Sequence, residues 1–393
     1  MHILFVTHKF PPSIGGMQKQ SFELFKGASL HAKTTLIAPE EGEGALSFYA
    51  SLKSRIKYVL ATNSDISVIH LNDGVMGVAC IWLTRYTDIP IVLTVHGLDI
   101  SFPNYFYKKF VATYFNRYNG IVAVSQYTAS VCLDRGVDRD KVFVINNGVD
   151  CPEKSIGDDS VYNKLKTLIG DSWRDRSIIM ACGRAVKRKG FSWFMEEVLP
   201  SLDNVIFIMV GPLQEERVID KLYDLLLPGF VKRQLDLFLA RANDSVNIRS
   251  LLKSQNQGSS YHLGKVSALE LEALYNLADI FIMPNIPVPG DAEGFGLVAL
   301  EAGSREVPVI ASRLEGITDA IIHEKNGLLI PAQDKIAWIE TIHRVLADPA
   351  YSRRLGSSAR EINLTRFSWD QMVKRYIRLF ERISEKKARL IDG

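Results

Sequence analysis

The sequence predicts an α/β protein with two doubly wound parallel-sheet domains in tandem. Three observations carry that reading. Short, near-continuous Val/Ile-rich runs recur along the chain, as strands buried on both faces of a parallel sheet require. Stretches of helical period alternate with them. At 393 residues, the chain has room for two domains of roughly 100–200 residues, each able to bury its own core.

The elements follow in order. Residues 2–7 (HILFVT) read as the first strand, followed by a Pro/Gly loop and a helical stretch over 18–28. Further strands are expected at 33–38 (KTTLIA), 66–71 (ISVIHL), 91–95 (IVLTV), 121–125 (IVAVS) and 141–145 (KVFVI). Residues 146–157 (NNGVDCPEKSIG) are turn-rich and precede a polar stretch over 158–176, so the domain boundary is placed there, with one domain over 1–165 and the next over 166–371. The second series has strands at 177–181, 205–210, 279–283, 307–311 and 327–330. Its helices are expected over 268–277, 297–303 and 336–347. In the final stretch, 369–387, Met372, Tyr376, Leu379, Phe380 and Ile383 recur at helical spacing on an otherwise charged segment. Ligands of such sheets bind at the carboxyl ends of the strands, here expected to face a cleft between the domains.

Composition removes several function classes. With 47% hydrophobic and 23% charged residues the chain is neither collagen-like nor largely disordered. A formal charge of +3, from 47 basic against 44 acidic side chains, argues against a nucleic-acid binder. Cys80, Cys132, Cys151 and Cys182 form no CxxC pair, against a disulfide framework or a zinc site and in keeping with a reducing compartment. The start lacks a basic n-region and a long apolar stretch, and no run reaches about 18 apolar residues, so a cytoplasmic protein is expected.

Four places could carry chemistry. Gly15 and Gly16, in KFPPSIGGMQ between the first strand and first helix, let a backbone approach a ligand, and helix-terminal amides favour an anion; a plain tight turn is the alternative. Glu40 stands where a dinucleotide-binding acid would, but G-x-G-x-x-G is absent. Arg184 and Lys189 in ACGRAVKRKG follow a strand and suit a diphosphate, one as a fork and the other as a point charge; Lys187 and Arg188 read as solvated. Glu293 and Glu301 bracket EGFGLVALE, where Gly294 and Gly296 permit a close approach and the amides of Phe295 to Leu297 suit a phosphate or sugar oxygen. Carboxylates there accept vicinal hydroxyls; a helix cap and a buried structural Glu are the bland alternatives. His96 ends a strand in LTVHGLD, as a cleft imidazole or a structural one, and His8 is the weaker candidate of the same kind. Asp138 and Asp140 sit in a polar turn and read as solvated.

On these motifs the chain resembles retaining glycosyltransferases of family 4, which have the GT-B architecture. PPSIGGMQKQSFEL, TVHGLD, IVAVSQYTA, VFVINNGVD, CGRAVKRKG, YHLGKVSALELEALYNLADIFIMPN, EGFGLVALEAGSREVPVIASRLEGITDAI, NGLLI and RFSWDQM stand in the family's order. The resemblance implies sugar transfer from a nucleotide diphosphate sugar, UDP favoured and GDP the other candidate, to a glycan, lipid-linked or small-molecule acceptor. It implies no metal and no cofactor. Glu293 matches the first member of the family's E-x7-E pair, near the transferred sugar, and Glu301 the second, on the ribose hydroxyls. Arg184 and Lys189 match its diphosphate cations, Gly15 and Gly16 its glycine loop, and His96 the histidine beside the anomeric centre. Gly294, Phe295, Gly296 and Leu297 would give amides to the donor, and Val266 falls where the base is held. The final helix, about 372–393, would cross back onto the N-terminal, acceptor-side domain. A helical excursion over 213–260, with an apolar stretch at 222–230, is longer than the family's usual connection. A GT-B epimerase or phosphorylase, or a non-catalytic nucleotide-sugar-binding subunit, remains the alternative, although no motif supplies a pyridoxal phosphate lysine.

Residues 102–118 (FPNYFYKKFVATYFNRY) interleave aromatic rings with Lys108, Lys109 and Arg117. Such a segment suits peripheral contact with a membrane's inner face; packing of residues 106, 110, 114 and 118 on the sheet is the other reading.

Overall fold

The computed structural model describes every residue except 14, 154–158, 170, 215–242, 255–258 and 392–393. It divides into two units, Met1–Gly148 with Phe367–Gly393, and Val149–Arg366. The seam thus falls before residue 149 rather than after 165. Val161 and Leu165, on the helix Asp159–Ile169, pack into the second unit's core.

The first unit is built on a six-stranded parallel sheet of order β2-β1-β3-β4-β5-β6. Its strands are β1 (His2–Val6), β2 (Lys33–Ile37), β3 (Val68–Leu71), β4 (Ile91–Val95), β5 (Gly120–Ala123) and β6 (Val142–Val144). β1, β3, β4 and β5 are buried along their whole length, which is why their sequences do not alternate. On one face Leu4, Val6, Ile69, Leu71, Leu93 and Ile121 join Phe48, Leu52 and Ile56 of the helix Ala45–Thr62. The other face carries Phe5, His70 and Thr94 beneath the helices Gly16–Ala28 and Trp369–Ile391.

That last helix buries the five apolar residues expected of it and also Val373 and Ile377. Its Tyr376 hydroxyl lies 3.1 Å from Thr94 Oγ1 and accepts a 3.4 Å hydrogen bond from Gln20 Nε2. Thr94 Oγ1 in turn meets His70 Nε2 at 2.9 Å, and burial drives the His70 pKa down to about 3, so the imidazole in this polar thread stays neutral. Backbones close in where glycine stands: a Cβ on Gly27 would lie 2.5 Å from Val373, and one on Gly148 as near to Trp369.

The second unit has a parallel sheet of order β12-β11-β10-β7-β8-β9. The strands are β7 (Ser177–Cys182), β8 (Val205–Val210), β9 (Ser260–His262), β10 (Ile280–Met283), β11 (Val309–Ser312) and β12 (Leu328–Ile330). Met180, Ile208, Phe281 and Val309 face one core layer; Ile179, Phe207, Ile282 and Ile310 face the other with Phe194 and Trp338. β9 pairs with β8, placing Tyr261 beside Ile208. Of the 213–260 excursion, residues 215–242 and 255–258, including the apolar stretch at 222–230, lie outside the described residues; the helix Ser245–Ser254 lies within them.

Strand order reverses between β1 and β3 in the first unit and between β7 and β10 in the second. A doubly wound sheet opens a crevice at the carboxyl edge of such a switch.

Candidate functional site

In the second unit, the segments after β7 and β10 meet at that switch. β7 runs into a short turn, Lys187–Lys189, that ends on Gly190 in the left-handed region at φ 67. Only glycine fits there: a Cβ would sit 1.9 Å from the carbonyl oxygen of Pro284, just past β10. Ile286 N–H donates to the Arg188 carbonyl at 2.9 Å, so the two strand ends are stitched through backbone as well.

The stitching brings charges together. Lys189 Nζ lies 2.7 Å from Glu293 Oε2, and both side chains are nearly buried. Asn285 Nδ2 donates to the same oxygen at 3.2 Å. Arg188 reaches Glu293 with Nε at 3.5 Å and Asp291 with a terminal nitrogen at 3.2 Å. Burial alone would raise the Glu293 pKa; the Lys189 and Arg188 charges, with hydrogen bonds from Lys189 and Asn285, outweigh it and hold the group at about 2. Asp291 goes the other way, raised by burial and by the charge of Glu293 against the pull of Arg188.

Arg188 is therefore not solvated as its place in a basic run suggests. The tight turn points Lys187 outward and sends Arg188, 11% exposed, between two carboxylates. Arg184 is exposed at the same strand end and makes no salt bridge or side-chain hydrogen bond among the described residues.

The E-x7-E segment spans a loop and a helix. Gly294 and Phe295 are buried, and Gly296, left-handed at φ 95, caps the helix Leu297–Gly303, whose half-buried first residue is Leu297. Glu301, about one turn in and half-buried, acts electrostatically on the last residue of β7: the Cys182 thiol is pushed up to about 12 by burial and then by the Glu301 charge. Val266 packs on the core layer that also takes Cys182 and Tyr261. Just before it, the Gly264 carbonyl accepts from Gly211 N–H at 2.9 Å, tying the ends of β8 and β9. Arg184, Lys189, Glu293, Glu301 and Val266 thus all belong to the carboxyl edge of one sheet. Cations with backbone amides suit an anion, while carboxylates suit hydroxyls.

The first unit has its own cluster at its switch. Gly15 caps the helix Gly16–Ala28, and both glycines are exposed. His96, after β4, donates from its backbone to Asp99 Oδ1 at 2.8 Å, and its Nε2 donates to the Asn72 carbonyl at 2.9 Å. Asp99 Oδ2 accepts from Gly74 N–H at 2.8 Å, bridging the ends of β3 and β4. His8 Nδ1 pairs at 2.9 Å with Asp73, which caps the next helix through Met76 N–H. Burial pushes the Asp73 pKa up, but the hydrogen bond and charge of His8 hold it below its usual range. His8, read as the weaker candidate, therefore shares the acid–base cluster that carries His96.

Asn285, Asp291, Glu315, Asp73 and Asp99 were not singled out by sequence. The signal available was a polar residue in the loop after a strand, one to four positions on for Asn285, Glu315, Asp73 and Asp99 and eight for Asp291, with glycine or proline adjacent to all but Asp99.

In the aromatic stretch, the helix Tyr105–Tyr114 turns Val111, with Phe115 and Tyr118 beyond it, into the core. Of the 106, 110, 114, 118 set, Tyr118 is buried, Phe110 packs against the core and Tyr114 is half-buried, whereas Phe106 is 79% exposed and, with Tyr105 at 73%, lies beside exposed Lys108 and Lys109. No helix of the described residues is long and apolar enough to cross a membrane. Among those residues, no group of three or more His, Cys, Asp or Glu side chains is arranged to hold a metal ion.

Two family models match: "Glycosyltransferase Family 4" over residues 17–153 and "Glycosyl transferases group 1" over 172–362. A D-inositol 3-phosphate glycosyltransferase from Salinispora tropica is 36% identical over 124 residues, 31% of this chain but only 24% of that relative's length. The capsular polysaccharide biosynthesis glycosyltransferase CapM of Staphylococcus aureus is 23% identical over 84% of this chain and 82% of its own. Among solved structures, HepE of Anabaena in complex with UDP and glucose superposes with a TM-score of 0.71 at 18% identity, covering 97% of this chain and 100% of that one. A glycosyltransferase from Rickettsia africae gives 0.70, also at 18% identity, over 97% and 98%.

Proposed function

The chain belongs to glycosyltransferase family 4 and has the GT-B fold; from that premise we propose that it moves a hexose from a nucleotide diphosphate sugar, UDP favoured, to a glycan or lipid-linked acceptor with retention at the anomeric carbon. The observation that carries this reading is the charge arrangement after β7 and β10. Lys189 is fixed on Glu293, and an exposed Arg184 stands at the same strand end.

Arg184 and Lys189 take the diphosphate, and the negative charge that develops as it departs is stabilised by these preorganised cations and by the amides of Gly294 to Leu297. Glu293, ionised throughout the physiological range, accepts hydroxyls of the transferred sugar. Glu301 accepts the ribose hydroxyls, which offer donors and no charge. Val266 and its neighbours line the base. The two cations meet the electrostatic demand often met by a divalent metal, so no metal and no resident cofactor is part of the proposal. In the first unit, the Gly15–Gly16 turn offers helix-terminal amides and the strand ends around His96 serve the acceptor side. Tyr105 and Phe106 with Lys108 and Lys109 make a peripheral contact with anionic lipid, the rings at headgroup level. CapM is named for polysaccharide biosynthesis, and that class of acceptor suits such a contact.

Thermal unfolding in the presence of UDP-, GDP-, ADP- and dTDP-sugars tests the reading, because a ligand of the native state raises its stability by mass action. One nucleotide class should raise the melting temperature at sub-millimolar concentration, and the same class should support transfer to a glycan. No shift with any of them, or release of nucleotide without a glycosylated product, would refute it.

A further inference from the structure

Glu315 lies beyond β11, in a segment that the donor reading leaves without a task. Its backbone is left-handed at φ 48, a conformation that side-chain-bearing residues rarely adopt. Its carboxylate nevertheless turns inward: Oε2 accepts the backbone N–H of Glu293 at 2.5 Å. The next residue returns the contact, Gly316 N–H donating to the Glu293 carbonyl at 3.1 Å. The two segments press so closely that a Cβ on Gly316 would lie 2.0 Å from the Gly294 carbonyl oxygen. Glu293 is therefore gripped at both ends, its side chain by Lys189 and Asn285 and its main chain by Glu315.

The charges facing Glu315 come from two elements. The turn after β7 supplies Arg188, and the segment after β10 supplies Asp291 and Glu293. Burial raises the Glu315 pKa, the two carboxylates raise it further, and the Glu293 N–H and Arg188 oppose them. The balance is about 7. Glu293 remains ionised beside it, so Glu315 is the carboxyl group of this cluster that changes charge near neutrality.

We propose that Glu315 is a positioning residue of the donor site that holds the Glu293 backbone and takes up one proton from solvent as the anionic donor enters. The inference rests on the donor reading above. A diphosphate placed against Arg184 and Lys189 draws on the positive charge that now faces Glu293 and Asp291 and brings negative charge to a cluster of three carboxylates, so the carboxyl easiest to protonate does so. The proton goes to Oε1 and leaves Oε2 as a carbonyl-type acceptor, so the hold on Glu293 survives. If the donor raises the Glu315 midpoint by about one pH unit, the group goes from about half to about nine-tenths protonated at pH 7. Donor affinity then weakens about tenfold as pH rises from below 6 to above 9.

Calorimetric titration with UDP-glucose in buffers of different ionisation enthalpy reads the proton directly. An intact nucleotide sugar is the right probe, because a terminal phosphate titrates near pH 6 by itself. The wild-type protein should take up about 0.4 proton per donor at pH 7 and close to none at pH 5. Glu315→Gln keeps an acceptor oxygen for the Glu293 N–H but cannot ionise, so it should bind UDP-glucose with no proton uptake, lose the pH dependence of affinity and retain turnover at pH 6. Glu315→Gly suits the left-handed backbone but lacks the acceptor, and it should lose turnover at every pH. Should either variant fold poorly, the pH dependence of uptake by the wild-type protein decides alone. Binding without proton uptake across pH 6–8, or uptake unchanged in Glu315→Gln, would overturn this inference and leave the donor reading standing. No binding of UDP-, GDP- or ADP-glucose at all would overturn both.

Discussion

Replacing Lys189 by methionine removes the charge from the Lys189–Glu293 pair while keeping most of the stem that packs there. Glu293 ionises at about 2 instead of the ordinary glutamate value of 4.5, a shift worth about 3 kcal/mol at neutral pH. Breaking a buried pair from one side costs a similar amount, about 3–5 kcal/mol, because the remaining charge stays buried. Arg188, 3.5 Å from Glu293, still compensates in part, so about 2–3 kcal/mol is expected. In a unit of this size that lowers Tm by roughly 4–12 °C. The sign of the pH dependence follows from the depressed pKa. The contribution is complete above 4.5 and disappears as pH falls through about 2, so parent and Lys189→Met should converge across that window. Amide exchange in β7 and β10 reports the second unit by itself. Lys189→Met with Glu293→Gln should be less destabilised than the sum of the single changes, since no uncompensated charge is left. Equal exchange rates in parent and Lys189→Met, or strictly additive losses in the double variant, would refute the pairing argument.

Glu301→Gln substitutes an amide donor for an acceptor oxygen and should weaken nucleotide binding about 10–100-fold, from about 1.5–3 kcal/mol per charged hydrogen bond; unchanged affinity in a fluorescence titration removes Glu301 from the donor site. Arg184→Ala should cut turnover by about 100-fold or more with stability within about 0.5 kcal/mol of the parent, because the side chain is exposed and makes no salt bridge among the described residues. Parent activity should survive EDTA, and complete loss restored by magnesium or manganese would sink the two-cation assignment. Lys108→Glu with Lys109→Glu should abolish sedimentation with anionic vesicles at low salt while nucleotide binding is kept; a parent protein that ignores such vesicles would leave residues 102–118 as a packing element.

Strands were the most legible part of the fold, because a strand buried on both faces has no choice but a continuous apolar run. β1, β4 and β8 are the plainest cases. A helix is plainest in sequence where its contact face is long and apolar. Trp369–Ile391 has such a face. Pro349–Arg366 does not: it meets its unit through Leu355, Gly356, Ala359 and Asn363, and a Cβ on Gly356 would lie 2.0 Å from the Glu306 carbonyl oxygen. A helix that docks by closeness of backbone leaves no apolar period to read. The domain seam was misplaced for a related reason. Turn composition marks where a chain is free to leave a core, whereas Val161 and Leu165 decide which core it enters.

At the candidate site, residues at a motif's fixed spacing could be nominated from sequence, and residues that meet a partner on another strand could not. Glu293 and Glu301 share one loop and helix, and Arg184 and Lys189 one strand end. Arg188 looks like its neighbour Lys187, and nothing local says that one is solvated while the other lies between Asp291 and Glu293. That distinction arises only when β7 and β10 are set side by side, because the Ile286–Arg188 backbone bond and the close approach of Gly190 to Pro284 fix which way the turn faces. The clamp from Glu315 needs a third strand, β11, beside β10. Such side chains are kept through a mutual contact rather than through any local pattern. Coupling energies are therefore the fitting measure of them, and a pair whose double-variant loss equals the sum of its single losses has no claim to belong to the site.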